Sequence, residues 1–484
     1  MHISAFNLGL GLLALIYTVS IVVSIRILLE NRNPAKTTAY LMLIYFVPII
    51  GLPVYYFFGI NYRTKKRYAT LPAETGAYLR KIRKSIIEQS NQLIAAQSNF
   101  LKTQVELSRL LLKEVNAGLT NQNNVELLFN GEQKFARLIE DLNAANHHIH
   151  LEYYIVENDI IGNEIKDILI RKSKAGVAVR FIYDDFGAKQ IRGKFLTELK
   201  AAGVEIFPFN NLYFAQLANR LNYRNHRKIV VIDGNIGYVG GINVSDRYIN
   251  PNKTGYWRDT HVRLHGQAVH WLQAYFILHN NFSSEKKLTI SEAYFPEINV
   301  TTEALVQIAG SGPDSERATL MLAFFTAIVG ATERVYITTP YLIPNESIIT
   351  ALKQAVLSGL DVRLLVPKNS DSFFVNAASQ SFFNELLEAG VKIYQYDKGF
   401  IHAKTMVIDN NLAIVGTANM DIRSFDLNFE INAFIYDTDI NQKLADTFMD
   451  DLKNSTLINI KQWKQRKRRY RVAESVARLI APLL

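Results

Sequence analysis

Two short stretches of the chain carry the same set of chemically capable residues at the same spacing. The first holds His226, Lys228, Asp233, Gly240 and Asn243; the second holds His402, Lys404, Asp409, Gly416 and Asn419. With each residue type at a few per cent of an average composition, a chance second copy is on the order of one in 10,000. The residues between agree as well: Lys228-Ile-Val-Val-Ile-Asp233 stands beside Lys404-Thr-Met-Val-Ile-Asp409. Histidine and lysine are poor choices for a purely structural strand, so their repetition points to chemistry. In an extended strand residues i and i+2 share a face, and His226 and Lys228 therefore project together, as do His402 and Lys404. Two such faces opposed across a pseudo-twofold axis supply two imidazoles, two ammoniums and two amides around one pocket. That set suits a tetrahedral oxyanion, with cationic and amide donors on the non-bridging oxygens and a histidine on each side for in-line displacement.

The elements that must position these groups are legible around them. The apolar run between Lys and Asp reads as buried strand, and Asp233-Gly234 and Asp409-Asn410-Asn411 read as turns. The strand resuming at Tyr238-Val239-Gly240, or at Ala413-Ile414-Val415-Gly416, brings Asn243 or Asn419 back towards its His and Lys. Upstream, short β-branched runs alternate with helical stretches: Ile149 to Leu151, a helix to Ala175, Val177 to Tyr183, a helix to Ala202, then Val204 to Phe207. The order recurs with Val335 to Ile337, a helix ending at Gly359, Val362 to Val366, and Ala389-Gly390-Val391 answering Ala202-Gly203-Val204. The fold class is α/β: two homologous lobes, residues 125–300 and 301–458, each a mixed sheet flanked by helices. Residues 63–124 read as a helical connecting arm.

The N-terminus has a different grammar. Ala5 to Ile25 contains no charged residue, and at ~1.5 Å per helical residue it spans roughly 30 Å, the thickness of a bilayer core. A second uncharged run, Ala39 to Ile60, contains Pro48, Gly51 and Pro53, so it is a bent span or a re-entrant segment. Residues 1–62 are thus expected to form a membrane hairpin. Arg26, Arg32 and Lys36 lie between the runs, whereas Arg63, Lys65, Lys66, Arg67, Arg80, Lys81, Arg83 and Lys84 follow them. The larger cluster places the lobes in the cytoplasm. Residues 459–484 form a basic amphipathic tail. Lys461, Lys464, Arg466, Lys467, Arg468, Arg469 and Arg471 lead into Val472, Val476, Leu479, Ile480, Leu483 and Leu484. This suits the surface of an anionic membrane; a helix docked on the catalytic body is the alternative.

Composition agrees with an anionic partner. The formal net charge is +10, with 20% charged and 49% apolar residues, which excludes a disordered polymer. Nucleic acid and acidic lipid both satisfy the charge, but the hairpin and the lack of an aromatic-basic groove favour lipid and exclude nucleic acid. The chain has no cysteine, hence neither disulfides nor thiolate chemistry. Gly234, Gly237, Gly240 and Gly241 are not followed by Gly-Lys-Ser/Thr, so they serve hairpin turns and tight packing in preference to a phosphate loop. His261 and His265 have no second ligand pair, and no metal site is expected. His147, His148 and His150 read as surface or packing residues.

The duplicated His-x-Lys-x4-Asp pattern resembles the phospholipase D superfamily, across residues 125–458. Asn419-Met-Asp-Ile-Arg-Ser-Phe-Asp-Leu-Asn-Phe-Glu430 looks like the stretch after the second motif in bacterial cardiolipin synthases. Tyr256-Trp257-Arg258-Asp259, the two apolar N-terminal segments and the Leu-Ile-Ala-Pro-Leu-Leu ending are similar to that subfamily too. The resemblance implies transfer of a phosphatidyl group from one phosphatidylglycerol to another with release of glycerol. A membrane-tethered hydrolase or another phosphatidyltransferase is the alternative. It implies His226 as nucleophile, forming a phosphohistidine, and His402 as the acid and then the base. Lys228, Lys404, Asn243 and Asn419 would hold phosphate oxygens. Asp259 would orient His226 and Glu430 would orient His402. Asp233 and Asp409 complete the catalytic motif and are expected at the strand ends, outside proton transfer. No cofactor is implied.

Overall fold

A computed structural model describes residues 5–29, 34–58, 77–209, 223–250 and 255–481. In the first repeat the strands are β1 (Asn123–Phe129), β2 (His148–Tyr153), β3 (Ala178–Tyr183), β4 (Glu205–Pro208), β5 (Ile229–Ile232), β6 (Ile236–Gly240), a short β7 (Tyr256–Arg258) and β8 (Thr260–Gly266). Seven of them form one sheet in the order β1-β8-β6-β5-β2-β3-β4. The second repeat supplies β9 (Leu305–Ser311), β10 (Arg334–Thr338), β11 (Leu342–Ile343), β12 (Asp361–Pro367), β13 (Lys392–Tyr396), β14 (Gly399–Ile401), β15 (Thr405–Ile408), β16 (Leu412–Gly416), β17 (Met420–Asp421), β18 (Glu430–Tyr436) and β19 (Ser455–Leu457). Its 8-stranded sheet runs β19-β13-β12-β10-β15-β16-β18-β9, the same order read from the far end with β19 added at the edge. Strands β2, β3 and β4 are parallel and joined by helices, whereas β5, β6, β8 and β1 run antiparallel.

Period-2 alternation explains how the two sheets meet. Ile229 and Val231 face the other lobe and pack with Val407, Val415 and Ile431. Val230 and Ile232 point the opposite way, among Leu138, Ile149 and Ile165 under the first lobe's own helices. Burying each such side chain is worth roughly 1.5–3 kcal/mol. A one-residue slip of β5 would turn both faces over, so the register that aims His226 and Lys228 is fixed by packing on two sides.

The arm is more than a connector. Ile94, Leu101, Leu107 and Leu111 are buried in one core with Leu320, Phe324 and Ala327 of the second lobe. Gln307 of β9 donates to the Ala117 carbonyl at 2.8 Å and the Ser108 carbonyl at 3.1 Å. The tail is docked as well. Trp463 packs against Phe383 with ring centroids 5.3 Å apart. On the helix Arg468–Ile480, Ala477 belongs to the second-lobe core, as does Ala481 just beyond it. Arg478 donates to Glu385 at 2.6 Å, while Val472, Val476 and Leu479 stay exposed on the outer face.

At the N-terminus the helix Ala5–Leu29 contains a stretch, Gly9–Leu29, long and apolar enough to cross a bilayer. The second apolar run is two helices, Pro34–Phe46 and Pro48–Phe58. The break falls at Val47, because a residue before proline is pushed out of the helical region and proline suits a helix start. Tyr40 and Ile44 pack back against Ile27 of the first helix. Arg32, Arg63, Lys65, Lys66, Arg67, Leu483 and Leu484 lie outside the described residues, as do the side chains of Lys36, Arg80, Lys81, Arg83, Lys84 and Ile480.

Candidate active site

The segment ahead of β5 is stitched to the other lobe by backbone hydrogen bonds. The His226 N–H donates to the Phe429 carbonyl at 3.0 Å, and the Phe429 N–H donates to the Arg224 carbonyl at 2.8 Å. The second repeat mirrors this: β14 pairs in parallel with β7, and the His402 N–H donates to the Arg258 carbonyl at 2.7 Å. The residue after each backbone partner is a carboxylate, Glu430 after Phe429 and Asp259 after Arg258. Consequently His226 Nδ1 lies 2.9 Å from Glu430 Oε2, and His402 Nδ1 lies 2.7 Å from Asp259 Oδ2. This reverses the pairing the family resemblance implied, in which each histidine drew on its own repeat. The cross-lobe backbone bridges decide the matter, since they seat each carboxylate against the histidine of the opposite lobe.

Both imidazoles, Asn243 and Asn419 line one cavity of about 410 Å³. With Nδ1 held by a carboxylate, Nε2 is the nitrogen each ring has left for a reacting atom. Lys228 Nζ donates to the His226 carbonyl at 2.6 Å, and Lys404 Nζ makes the equivalent bond to the His402 carbonyl. Asn243 accepts from the Ile155 N–H at 3.2 Å and donates to the Tyr248 hydroxyl at 2.8 Å. Asn419 Oδ1 is buried and meets no hydrogen-bond donor among the described residues. A wider cavity of about 720 Å³, beside Trp271 and His270, contains none of the motif residues.

Asp233 and Asp409 are not brought into this cavity. Each stands five residues beyond its lysine, about 16 Å along the strand, and both sit in left-handed turns, at φ 52° and 48°. Asp233 accepts from the backbone N–H groups of Asn146, His147 and His148 at 2.8, 2.8 and 2.9 Å. Asp409 does the same for Thr332, Glu333 and Arg334, at 3.0, 2.7 and 3.1 Å. Their grouping with the catalytic residues is therefore corrected: they clamp the start of β2 or β10 to the turn. Among the weaker sequence signals, His148 bonds Gln273 at 3.0 Å and His150 stacks on Phe276 at 4.3 Å, both buried packing roles. His261 is buried in β8, its Nδ1 3.3 Å from the Ile242 N–H.

Burial governs the charges. His226 is pushed down to about 4 by burial, with Glu430 opposing and Lys228 and Lys404 adding to the fall. Burial, Lys404 and Lys228 push His402 down as well. Both rings are thus neutral at pH 7. Lys228 falls to about 7 and Lys404 to about 8, chiefly through burial, against the pull of Glu430 and Asp259. Burial raises Asp259 to about 7 despite Lys404. Burial also opposes ionisation of Glu430, but the contact with His226 and the charge of Lys228 outweigh it and hold that carboxyl below its usual range. The site is short of negative charge. An entering phosphodiester anion would favour protonated lysines and one protonated histidine, the state an acid needs.

Two histidine–carboxylate pairs around one cationic cavity, built from duplicated lobes, define an architecture that can be compared with known proteins. Residues 138–276 and 324–452 match the family described as cardiolipin synthase, PLD-like domain, and residues 18–59 match the phospholipase D-nuclease N-terminal family. The cardiolipin synthase of Geobacillus kaustophilus is 42% identical, over 98% of this chain and 94% of its own. The major cardiolipin synthase ClsA of Bacillus subtilis is 40% identical, over 98% and 99%. The chain belongs to the cardiolipin synthase family. It is accordingly a phosphatidyltransferase of the phospholipase D superfamily. The crystal structure of phosphatidylserine synthase from Haemophilus influenzae covers 78% of this chain and 100% of its own, with a TM-score of 0.58 and 15% identity, and so shares the fold.

For a cardiolipin synthase family member, several residues of the site escaped the reading of the motifs. Thr417 donates to Glu430 Oε2 at 2.6 Å, and Asn428 donates to Oε1 at 3.1 Å. Gly241 allows the approach of Asp259, since a Cβ there would stand 2.1 Å from Asp259 Oδ1. Tyr154 packs edge-on against His226, and Trp257 and Tyr248 flank His402. A sequence signal existed for two of these: Asn428 lies two residues before Glu430, and Thr417 breaks the repeat where Gly241 stands in the first copy.

Proposed function

We propose that this chain transfers a phosphatidyl group from one phosphatidylglycerol to the hydroxyl of a second, releasing glycerol. The observation that carries the proposal is the pair of crossed histidine–carboxylate contacts facing one cavity. In the first half-reaction His226 Nε2 attacks phosphorus as the bond to the headgroup glycerol oxygen breaks. His402 donates its proton to that oxygen. In the second, His402 takes the proton from the incoming lipid hydroxyl, whose oxygen bonds to phosphorus as the P–N bond breaks. Lys228, Lys404, Asn243 and Asn419 stabilise the non-bridging oxygens. Glu430 and Asp259 fix the tautomers and balance the imidazolium that forms. The test is purified protein in detergent with phosphatidylglycerol alone, products resolved by mass. Cardiolipin and glycerol are expected. Phosphatidic acid as the sole lipid product would mean a hydrolase.

The membrane placement is part of the same proposal. The helix Ala5–Leu29 and the broken helix pair behind it form an anchor that crosses the bilayer more than once, with both lobes on the cytoplasmic side. The exposed face of the C-terminal helix, Val472, Val476 and Leu479 beside Arg468, Arg469 and Arg471, rests on anionic lipid. Ala481, just past that helix, lines the catalytic cavity, so a membrane-seated tail would bring the cavity mouth to its substrate. Protease outside intact cells should leave the second lobe whole; its digestion while a cytoplasmic marker survives would reverse the topology.

A further inference from the structure

The repeats differ at the residue between the motif histidine and lysine, which is Arg227 in the first copy and Ala403 in the second. Arg227 is fully buried, and all three of its guanidinium nitrogens are used. Nε donates to the carbonyl of Glu430 at 2.9 Å, and Nη2 donates to the carbonyl of Ser311 at 3.4 Å. Glu430 and Ser311 are the terminal pair of the β18–β9 ladder. One side chain of the first lobe therefore clasps the end of the second lobe's sheet, at the residue whose carboxylate meets His226. Nη1 donates to Nε2 of His279, on the helix Val269–Ser283. Arginine can only donate, so His279 accepts there and carries its own proton on Nδ1, 2.7 Å from Glu152 Oε1. Burial lowers the pKa of His279, Glu152 opposes the fall and Arg227 adds to it, so the linking ring is neutral at pH 7. The same carboxylate oxygen accepts from Asn225 Nδ2 at 2.6 Å, and the Asn225 backbone is bridged to Phe429. Glu152, Asn225 and His279 are as fully buried as Arg227. A buried pair of opposite charges is weak as a source of stability, because desolvation offsets the attraction. What a hydrogen-bonded network of this kind does provide is a single geometry for its members. The second repeat lacks the clasp: the Asp259 carbonyl accepts from the Asn130 N–H at 2.9 Å and from Arg258 Nη1 at 2.5 Å, both of its own lobe.

We infer that Arg227 is a positioning residue for the first dyad: tied to Glu152 through His279, its guanidinium holds the Glu430 backbone where the carboxylate meets His226 Nδ1. The inference rests on the reading of His226 as the group that attacks phosphorus, and extends it to what keeps that group aimed. The bond is made to the main chain, so the Glu430 carboxylate stays available to His226, Thr417 and Asn428. Aim matters because a misplacement on the order of 1 Å can cost about a hundredfold in rate. With alanine at the matching place in the second repeat, Arg227 serves one dyad of the two.

The experiment measures kcat and KM of the full chain in detergent with phosphatidylglycerol. Arg227→Met, which keeps the length and loses the donors, should lower kcat roughly tenfold or more while KM changes by less than about twofold. His279→Gln should retain most of the rate, because its amide can accept from Arg227 and donate to Glu152. The deciding readout is coupling. In a Glu430→Gln background Arg227→Met should lower kcat by less than about threefold, whereas in an Asp259→Asn background it should keep its full effect. Where Arg227→Met alone fails to fold, as judged by thermal melting, Arg227→Met with Glu152→Gln removes cation and anion together and carries the same expectation. Equal losses in both backgrounds, or a folded variant with wild-type kcat, would overturn the positioning role alone. Wild-type turnover by His226→Ala would overturn the nucleophile reading and the positioning role together.

Discussion

The two histidine–carboxylate pairs occupy equivalent places in the duplicated fold and differ in charge. Glu430 is longer, accepts from Thr417 and Asn428 besides His226, and is held in its ionised form. Asp259 is bonded to its own neighbour's Thr260 N–H at 2.7 Å and is raised to about 7 by burial. In the proposed mechanism a firmly ionised partner would stabilise the positive charge that His226 acquires on attacking phosphorus. A partner raised to about 7 would suit the role proposed for His402, a ring that gives up a proton in one half-reaction and recovers it in the next. The duplicated frame is thus symmetric in its contacts, and burial and side-chain length make its two carboxylates differ in charge.

Removing either ring should break the comparison most visibly. His226→Ala and His402→Ala are each expected to lose about 10³-fold or more in turnover. With an activated donor whose leaving group needs no proton, label from the phosphatidyl part should mark the His402 variant and not the His226 variant. Label on the His226 variant alone would exchange the two roles. The next test is of the carboxylates. Glu430→Gln should cost on the order of 10²-fold or more in kcat, and Asp259→Asn less, because Asp259 is partly neutral already. The reverse order would mean that the charge difference does not divide the roles.

The lysines give the comparison a pH axis. An ammonium with its pKa lowered to about 7 or about 8 loses its proton as pH rises through that value, so kcat/KM for an anionic lipid should fall above pH 7–8. Lys228→Arg, which keeps its charge, should flatten the first part of that fall. An unchanged alkaline limb would assign it to another group. Smaller effects lie outside the cavity. Val476→Asp or Leu479→Asp should slow turnover several-fold on anionic vesicles, with near-normal turnover in detergent. Equal loss in both would remove the membrane role of the outer face. Cutting off residues 461–484 would not make this distinction, because Trp463, Ala477 and Ala481 are buried in the second lobe. The two turn aspartates should affect stability more than rate. Asp233→Ala is expected to cost roughly 1–3 kcal/mol in unfolding free energy. Asp409→Ala should cost more, since Asp409 also accepts from the Thr332 hydroxyl at 3.0 Å. Melting curves of the two variants decide it.

The alternation of strand and helix, the duplication, and the motif histidines and asparagines that line the cavity were legible because each rests on local periodicity. The β5 and β15 runs, Ile229 to Ile232 and Thr405 to Ile408, carry their two-faced burial in their composition. The break at Val47 followed from Pro48. What could not be read was pairing across long separations. Glu430 meets His226 over 204 residues and Asp259 meets His402 over 143, and no local spacing specifies which carboxylate reaches which ring. The arm's packing partner was illegible for a related reason: Leu107 and Leu111 advertise a buried face, but nothing in their spacing names the second lobe as the surface they cover.

The stitching of each histidine to the far lobe also has a consequence during synthesis. A ribosome that has released the first motif has made a histidine with no carboxylate, and the missing Glu430 lies 204 residues downstream. A chain that ends before His402 can assemble neither dyad, because His402 and Glu430 are both still to be made. The histidine–carboxylate pairs therefore arise late, after both lobes have emerged and closed on one another, and a polypeptide stalled before His402 carries neither.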